Sequence, residues 1–216
     1  MIRKSIAMLS LFALGACGES QLAARALNVF LDEPSTQASG PFPRFAPLLQ
    51  MPQPYALQAT LVRSSLKGGF LLESKQGSIE SWLGSDGVAL TFDRGLLHGT
   101  RGIGAGLLAS DVSESVALVL SGRNGVADRI HTRLDGNDRA ELQAYRCTIR
   151  SEGPATVQLD NGPAPTLKMV ETCAGLDDSF QNTYWVDTRS DLIVRSRQWT
   201  GEELGELDVR VVYNFR

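Results

Sequence analysis

Residues 206–215 read Glu-Leu-Asp-Val-Arg-Val-Val-Tyr-Asn-Phe, the most regular alternation of polar and apolar side chains in this sequence. Successive side chains of an extended strand point to opposite faces, so Leu207, Val209 and Val211 share one face. The charged Asp208 lies on the other face. The pattern predicts a strand with one buried and one solvated side, which is typical of antiparallel sheets.

The rest of the chain after residue 54 repeats this character. Short β-rich runs alternate there with Asn, Asp and Gly turn signals, and no long helical crossover separates them. We therefore predict a mainly β fold, an antiparallel meander that forms a curved open barrel or a sandwich. A short helix is considered within the meander only at 102–111. The predicted strands are 56–64, 69–74, 77–83, 87–93, 95–100, 114–121, 126–134, 139–150, 154–160, 165–173, 181–188, 191–199 and 205–215.

The first residues predict export. Arg3 and Lys4 precede a short apolar stretch, residues 6–14, which is typical of a secretory signal peptide and is too short for a stable membrane span. Leu-Gly-Ala at 14–16 leads directly to Cys17, which resembles a bacterial lipobox. We predict cleavage after residue 16 and lipidation of Cys17; the alternative is an ordinary signal peptide with a chance cysteine.

Three segments follow from this interpretation. Residues 1–16 are the predicted lipoprotein signal peptide, 17–54 the lipidated N-terminal part, and 55–216 a single β domain. Apolar residues at helical spacing predict a short helix over 18–31, and six of the nine prolines lie between Pro34 and Pro54, where we expect an extended segment. Gly18 rather than Asp follows Cys17. By resemblance to lipoprotein sorting in Gram-negative bacteria, this favours the outer membrane, with the body facing the periplasm.

The cysteine count agrees with an oxidising compartment. Once Cys17 is lipidated, Cys147 and Cys173 remain, and an even pair in an exported protein predicts a disulfide. Two unpaired buried cysteines are the alternative.

Composition argues against several function classes. The formal charge of −3 and the pI near 5.5 do not favour nucleic acid as a partner, because phosphate binding needs clustered cations. Two histidines without a His/Cys cluster make a zinc site or a His-based triad a poor hypothesis. We predict no cofactor and no metal.

No convincing catalytic constellation is present, so we expect no enzyme. The chain lacks a G-x-S-x-G nucleophile elbow, and acidic residues such as Glu73, Glu80 and Asp111 are ordinary at strand ends. The glycine cluster 102–106 fails the dinucleotide and P-loop spacings and predicts a loop or bulge. Arg101 beside it remains a candidate contact for an anionic sugar or phosphate.

Trp82, Trp185 and Trp199 all lie on predicted strands. Packing in the core or along a groove is the usual role of such residues. Since aromatic faces also stack on sugar rings, each remains a candidate saccharide contact.

Several blocks together resemble the YjbF-type outer-membrane lipoproteins, related to the group 4 capsule lipoproteins GfcB or YmcC. With the lipobox, the likeness covers most of the mature chain. The blocks are 77–82 (Gly-Ser-Ile-Glu-Ser-Trp), 86–90, 95–104, 107–111, 171–173 (Glu-Thr-Cys), 182–187 and 196–199.

The resemblance implies an all-β body and an association with exopolysaccharide or capsule production, but it supplies no catalytic residues. We therefore expect a lipid-anchored, non-enzymatic accessory that binds polysaccharide or other assembly proteins. The alternative is a carrier of a lipid or lipid-linked sugar in the groove of an open barrel.

Overall fold

The structure is a computed structural model that describes residues 41–52, 55–104, 106–134, 137 and 139–214. The predicted signal peptide, Cys17 and the predicted helix over 18–31 lie outside the described residues. Among those residues, no helix is long and apolar enough to span a membrane.

Twelve strands and one α-helix make up the described part of the chain, with a 3-10 helix at Leu48–Gln50. The helix, α1, spans Ser113–Leu120. The strands are β1 (Ala56–Leu61), β2 (Leu66–Gln76), β3 (Ile79–Gly84), β4 (Ala89–Asp93), β5 (Leu96–Arg101), β6 (Ala109–Asp111), β7 (Gly125–Leu134), β8 (Ala140–Leu159), β9 (Gly162–Ala174), β10 (Ser179–Asp187), β11 (Ile193–Gly201) and β12 (Gly205–Val212).

All twelve strands belong to one antiparallel sheet in the order β5-β4-β3-β2-β1-β12-β11-β10-β9-β8-β7-β6. The first and last strands pair directly, with Ala59 opposite Val209. The sheet curves into a nearly closed barrel, so the predicted antiparallel meander is confirmed, and of the two alternatives the barrel is the one formed.

The two sheet edges, β5 and β6, meet at a seam. The Thr100 amide on β5 donates to the Leu107 carbonyl (2.7 Å), and the Leu108 amide donates to the Thr132 carbonyl on β7 (2.9 Å). Gly99 permits this approach, because a Cβ at that position would lie 3.1 Å from the Leu108 carbonyl oxygen. The predicted loop over 102–106 is confirmed where the structure describes it, and it precedes the seam.

The predicted strand 114–121 is wrong, because helix α1 occupies this position, and no helix forms over the described part of 102–111. Val116 and Val119 suggested a strand, since β-branched residues favour sheets. The buried residues nevertheless recur at helical spacing, at Val112, Val116 and Val119. The Asp111 carboxylate accepts hydrogen bonds from the Ser113 amide and hydroxyl at the start of the helix.

The predicted break between strands 139–150 and 154–160 is also wrong. β8 runs through it as one strand with a bulge between Ser151 and Gly153, where Gly153 has a φ of +91°. Beyond the bulge, the β8–β9 hairpin packs against the outside of the barrel, with Val157 and Leu159 against Val194. The short strand β6 was not predicted.

The segment 41–52 packs against the sheet. Phe45 is buried with Leu71 and Leu83, and Arg44 forms an ion pair with Glu73 on β2. The expected extended conformation is wrong for most of these residues, because 43–47 form turns and Leu48–Gln50 form the 3-10 helix.

The predicted disulfide between Cys147 and Cys173 is present. The two cysteines lie directly opposite each other on β8 and β9, and both are fully buried beside Tyr145 and Phe180. The bond links two long strands within the barrel wall.

Removing this disulfide is expected to destabilise the protein. In the double variant Cys147→Ala/Cys173→Ala, the free energy of unfolding should fall by about 2–4 kcal/mol, since the unfolded chain regains its freedom. Urea unfolding with and without reductant measures this. Reductant should lower the stability of the wild type and leave the double variant unchanged. A wild type that gains no mass on reduction would contradict the disulfide. A double variant as stable as the wild type would contradict its stabilising effect.

Candidate functional sites in the barrel and on its surface

A buried ion pair lies inside the barrel. The Arg129 Nη1 on β7 donates to the Glu171 Oε2 on β9 over 2.9 Å, and both side chains are 0% exposed. Alternation places them there, since Arg129 shares a face with buried Ala127, and Glu171 shares one with Cys173. Two buried charges of opposite sign compensate each other only when their remaining hydrogen-bonding capacity is also satisfied.

The Glu171 carboxylate meets that condition. Its oxygens accept hydrogen bonds from the Ser115 hydroxyl of helix α1 (2.5 Å) and, on β10, from the Asn182 amide and the Tyr184 hydroxyl (2.7 Å each). Burial alone would raise the pKa of Glu171. The Arg129 charge and the three hydrogen bonds outweigh it and hold the pKa below its ordinary value, so the carboxylate is ionised.

His131 joins the same network. Its Nε2 accepts a hydrogen bond from the Arg129 Nε (2.9 Å), which requires a neutral imidazole, and its ring stacks on Phe180 at 5.4 Å. Burial, followed by the charges of Arg129 and Arg133, lowers the pKa of His131 to about 2. We call Arg129, His131, Glu171, Asn182, Tyr184 and Ser115 the interior network.

Polar side chains inside the barrel also form hydrogen bonds with backbone groups at the edge strand β5. The Gln198 carbonyl on β11 accepts from the Leu97 amide (2.7 Å), and its amide group donates to the Gly95 carbonyl (2.9 Å). The Arg129 Nη2 donates to the Leu97 carbonyl over 3.4 Å. Backbone groups that lack a neighbouring strand are thereby satisfied across the interior.

The interior network is suited to holding the fold rather than to chemistry. Its groups are fully buried, and they are hydrogen-bonded to one another. The Cys147 and Cys173 sulfurs and a Glu171 oxygen lie within 4.8 Å, but the disulfide leaves no thiolate to bind a metal.

A cavity of about 270 Å³ lies at the seam. The half-buried Asp93 and His98 line it from the β4–β5 side, and Ser110 and Asp111 line it from β6. The buried hydroxyl of Ser110 has no hydrogen-bond partner among the described residues.

A second cavity, which we call the outer groove, measures about 440 Å³ and lies on the outer face of the sheet. Strands β1, β2, β11 and β12 form its floor, and the β8–β9 hairpin contributes Val157 and Gln158 to its side. Its charged residues are mainly basic: Lys67, Arg195, Arg197 and Arg210, with Asp208 as the acidic member.

The structure separates the candidate contact residues. Trp82 on β3 is 7% exposed and packs in the hydrophobic core that strands β1–β5 and β12 form. Trp199 packs against Phe180 beside the disulfide. Arg101 is exposed at the end of β5 and lines neither cavity. Trp185 lies on the outer face beside the outer groove, with the Arg195 guanidinium carbon 4.9 Å from its ring centroid.

Sequence reasoning missed the interior network. A usable signal was present on β9, where Glu171 stands two residues before Cys173. A disulfide between neighbouring strands has to face inward or outward as a unit, so a buried Cys173 places Glu171 in the interior as well. A buried carboxylate then requires a cation, and Arg129 is the one that supplies it.

Comparison with known proteins places this architecture. The family model for the group 4 capsule polysaccharide lipoprotein GfcB, or YjbF, matches residues 54–212. The chain belongs to this family. The fold of this YjbF-family protein is similar to a solved structure, that of the hypothetical lipoprotein YmcC from Escherichia coli (K12). The two chains superpose with a TM-score of 0.67 over 92% of this chain and 98% of YmcC, at 15% identity, so the likeness concerns the fold. No curated protein matches the chain.

The buried ion pair yields a stability prediction for this YjbF-family protein. Glu171→Gln leaves the Arg129 charge buried without its carboxylate, so the free energy of unfolding should fall by about 3–5 kcal/mol. Asp128→Asn is the control, because it removes an ion pair to Arg146 whose side chains are 62% and 69% exposed. The control should cost less than about 1 kcal/mol. Urea unfolding at neutral pH compares them, and similar small losses in both variants would contradict the assignment.

His131 predicts a dependence of stability on pH. Its folded-state pKa lies below its ordinary value of 6.5, so below pH 6.5 the unfolded chain binds a proton that the folded chain does not. Stability should therefore decrease as the pH falls from 6.5, by up to about 1.4 kcal/mol per pH unit.

The variant His131→Gln, which retains an acceptor for Arg129, should flatten this decrease between pH 6.5 and 5. His98→Gln is the matched control for loss of a histidine, since His98 lies half-buried at the seam cavity and outside the interior network. Equal slopes in wild type and His131→Gln, measured by urea unfolding, would disprove the prediction.

Proposed function

We propose that the protein is a periplasm-facing lipoprotein, anchored in the outer membrane through Cys17, that acts without catalysis in the production or export of an exopolysaccharide or capsule. The observation that carries the proposal is the match of residues 54–212 to the group 4 capsule polysaccharide lipoprotein family. The lipobox at 14–17 supports the anchor, and Gly18 supports transfer to the outer membrane.

The barrel interior supports a binding or assembly role over the alternative of a lipid carrier. A carrier in an open barrel needs an apolar cavity inside it. Here the interior holds the Arg129–Glu171 ion pair at 0% exposure, and Leu97, Ile149 and Met169 fill the space around it. Both cavities described above lie at the barrel surface, where an extended ligand or a partner protein has access.

The seam cavity does not favour an enzyme either. Asp93, His98 and Asp111 line it, but no hydrogen bond joins His98 to either carboxylate in the described structure, as a base and its orienting group require. Binding of saccharide or of a neighbouring assembly protein is the role we propose for the exposed surface.

A complementation experiment tests the anchored role. The gene is deleted in the source bacterium, and surface polysaccharide is quantified after complementation with wild type, Cys17→Ala or Gly18→Asp. Wild type should restore the polysaccharide. Cys17→Ala should not restore it because no lipid is attached, and Gly18→Asp should not because an acidic residue at this position favours retention in the inner membrane.

Immunoblots confirm that the three forms reach equal levels. Unchanged polysaccharide in the deletion strain would remove the proposed function, and full rescue by Cys17→Ala would remove the anchor from it. Rescue by Gly18→Asp alone would place the function at the inner membrane instead.

A further inference from the structure

The floor of the outer groove is a regular grid of side chains. Strand register aligns Arg195 with Arg210, Arg210 with Gln58, and Gln58 with Gly69 in one row across β11, β12, β1 and β2. The adjacent row aligns Arg197, Asp208, Thr60 and Lys67. On β1, β11 and β12 these positions alternate with buried residues such as Ala59, Ser196 and Val209, so they face outward, and Lys67 of β2 lines the same groove.

This grid carries uncompensated positive charge. The carboxylates of β12 are already used, since Asp208 pairs with Arg195 and Glu206 pairs with Arg197, each over 2.7 Å. Arg210 and Lys67 are exposed and make no ion pair within the described part of the chain. Arg210 lies directly opposite Arg195, and the Asp208 carboxylate is bound to Arg195, so Arg210 keeps an unpaired charge beside a second arginine.

The surroundings of these cations select the kind of anion. Gln58, Thr60, Ser65 and Gln158 supply amides and hydroxyls along the groove, which suit the hydroxyl groups of a sugar. Trp185 fixes the orientation of Arg195 through its ring. The volume of about 440 Å³ falls in the range of small-molecule sites, and the groove offers little apolar surface to an acyl chain.

We propose that the outer groove binds a carboxylate-bearing stretch of polysaccharide, with Arg210 and Lys67 as its principal contacts to the acidic groups. This inference rests on the proposed function and names the substrate class that the function acts on. The carboxylates of neighbouring acidic sugars meet the two rows of cations, and the polar side chains between the rows meet their hydroxyls.

Binding to the full mature chain, purified in non-ionic detergent, tests the inference by isothermal titration calorimetry. The probes are a hexamer of galacturonic acid and its methyl ester, which has the same backbone without the charges. The wild type should bind the acid, bind the ester at least about tenfold more weakly, and lose affinity as salt is raised.

The double variant Lys67→Gln/Arg210→Gln should bind the acid at least about tenfold more weakly than the wild type. Both side chains are exposed and unpaired in the described structure, so the variant is expected to keep its fold. Arg150→Gln is the matched control, an exposed cation on β8 that does not line the groove. It should bind within about twofold of the wild type, since surface substitutions away from a site have small effects.

Equal binding of acid and ester, or wild-type affinity in the double variant, overturns the inference. The inference is also overturned if the wild type binds neither the hexamer nor acidic oligosaccharides cut from the bacterium's own surface polysaccharide. These measurements are made on purified protein, so a deletion strain with unchanged polysaccharide would contradict the proposed function and leave the binding result standing. Full restoration of polysaccharide by the double variant would overturn the inference and leave the proposed function in place.

Discussion

Closure of the barrel depends on satisfying the backbone of β5. In a meander whose first and last strands pair, the free edges fall in the middle of the chain, at β5 and β6. A buried edge with unpaired amides and carbonyls carries a large free-energy cost. The Gln198 side chain meets this need at Leu97 and Gly95, and the Arg129 guanidinium adds a bond to the Leu97 carbonyl.

The positions of the other polar groups in the interior depend on the use of Arg129 to bind the backbone of β5. A guanidinium that reaches the inner side of β5 is itself buried and requires a carboxylate, which Glu171 provides. Glu171 in turn requires donors, and these come from β10 and from Ser115 of helix α1. Helix α1 is therefore tied to the barrel by a hydrogen bond as well as by the apolar contacts of Val116 and Val119.

The sequence predicted the features that have local causes. Alternation, turn residues and the absence of crossovers indicate the antiparallel meander, and the cysteine count indicates the disulfide. Two kinds of feature escaped. Helix α1 is short, and its β-branched Val116 and Val119 favoured a strand. On β7, Val126 and Ile130 are 51% and 41% exposed while Arg129 and His131 are buried, so hydrophobicity alone does not identify the inner face of this strand. Both reflect tertiary contacts, with Glu171 and with the interior of the barrel, that no local window contains.

The contrast between the barrel interior and the barrel surface bears on where a ligand can bind. In the described part of the chain, the Arg129–Glu171 ion pair and buried apolar side chains occupy the barrel interior, and both cavities described above lie at the surface. The protein as a whole is acidic, with a formal charge of −3, yet the outer faces of β11, β12, β1 and β2 present an excess of cations. A sheet that needed only solubility would place opposite charges across each pair of strands, as β11 does with Asp208 and Glu206. Arg210 on β12 and Lys67 on β2 depart from that arrangement on either side of β1 in one groove, and an acidic ligand would supply the charge that the sheet leaves out.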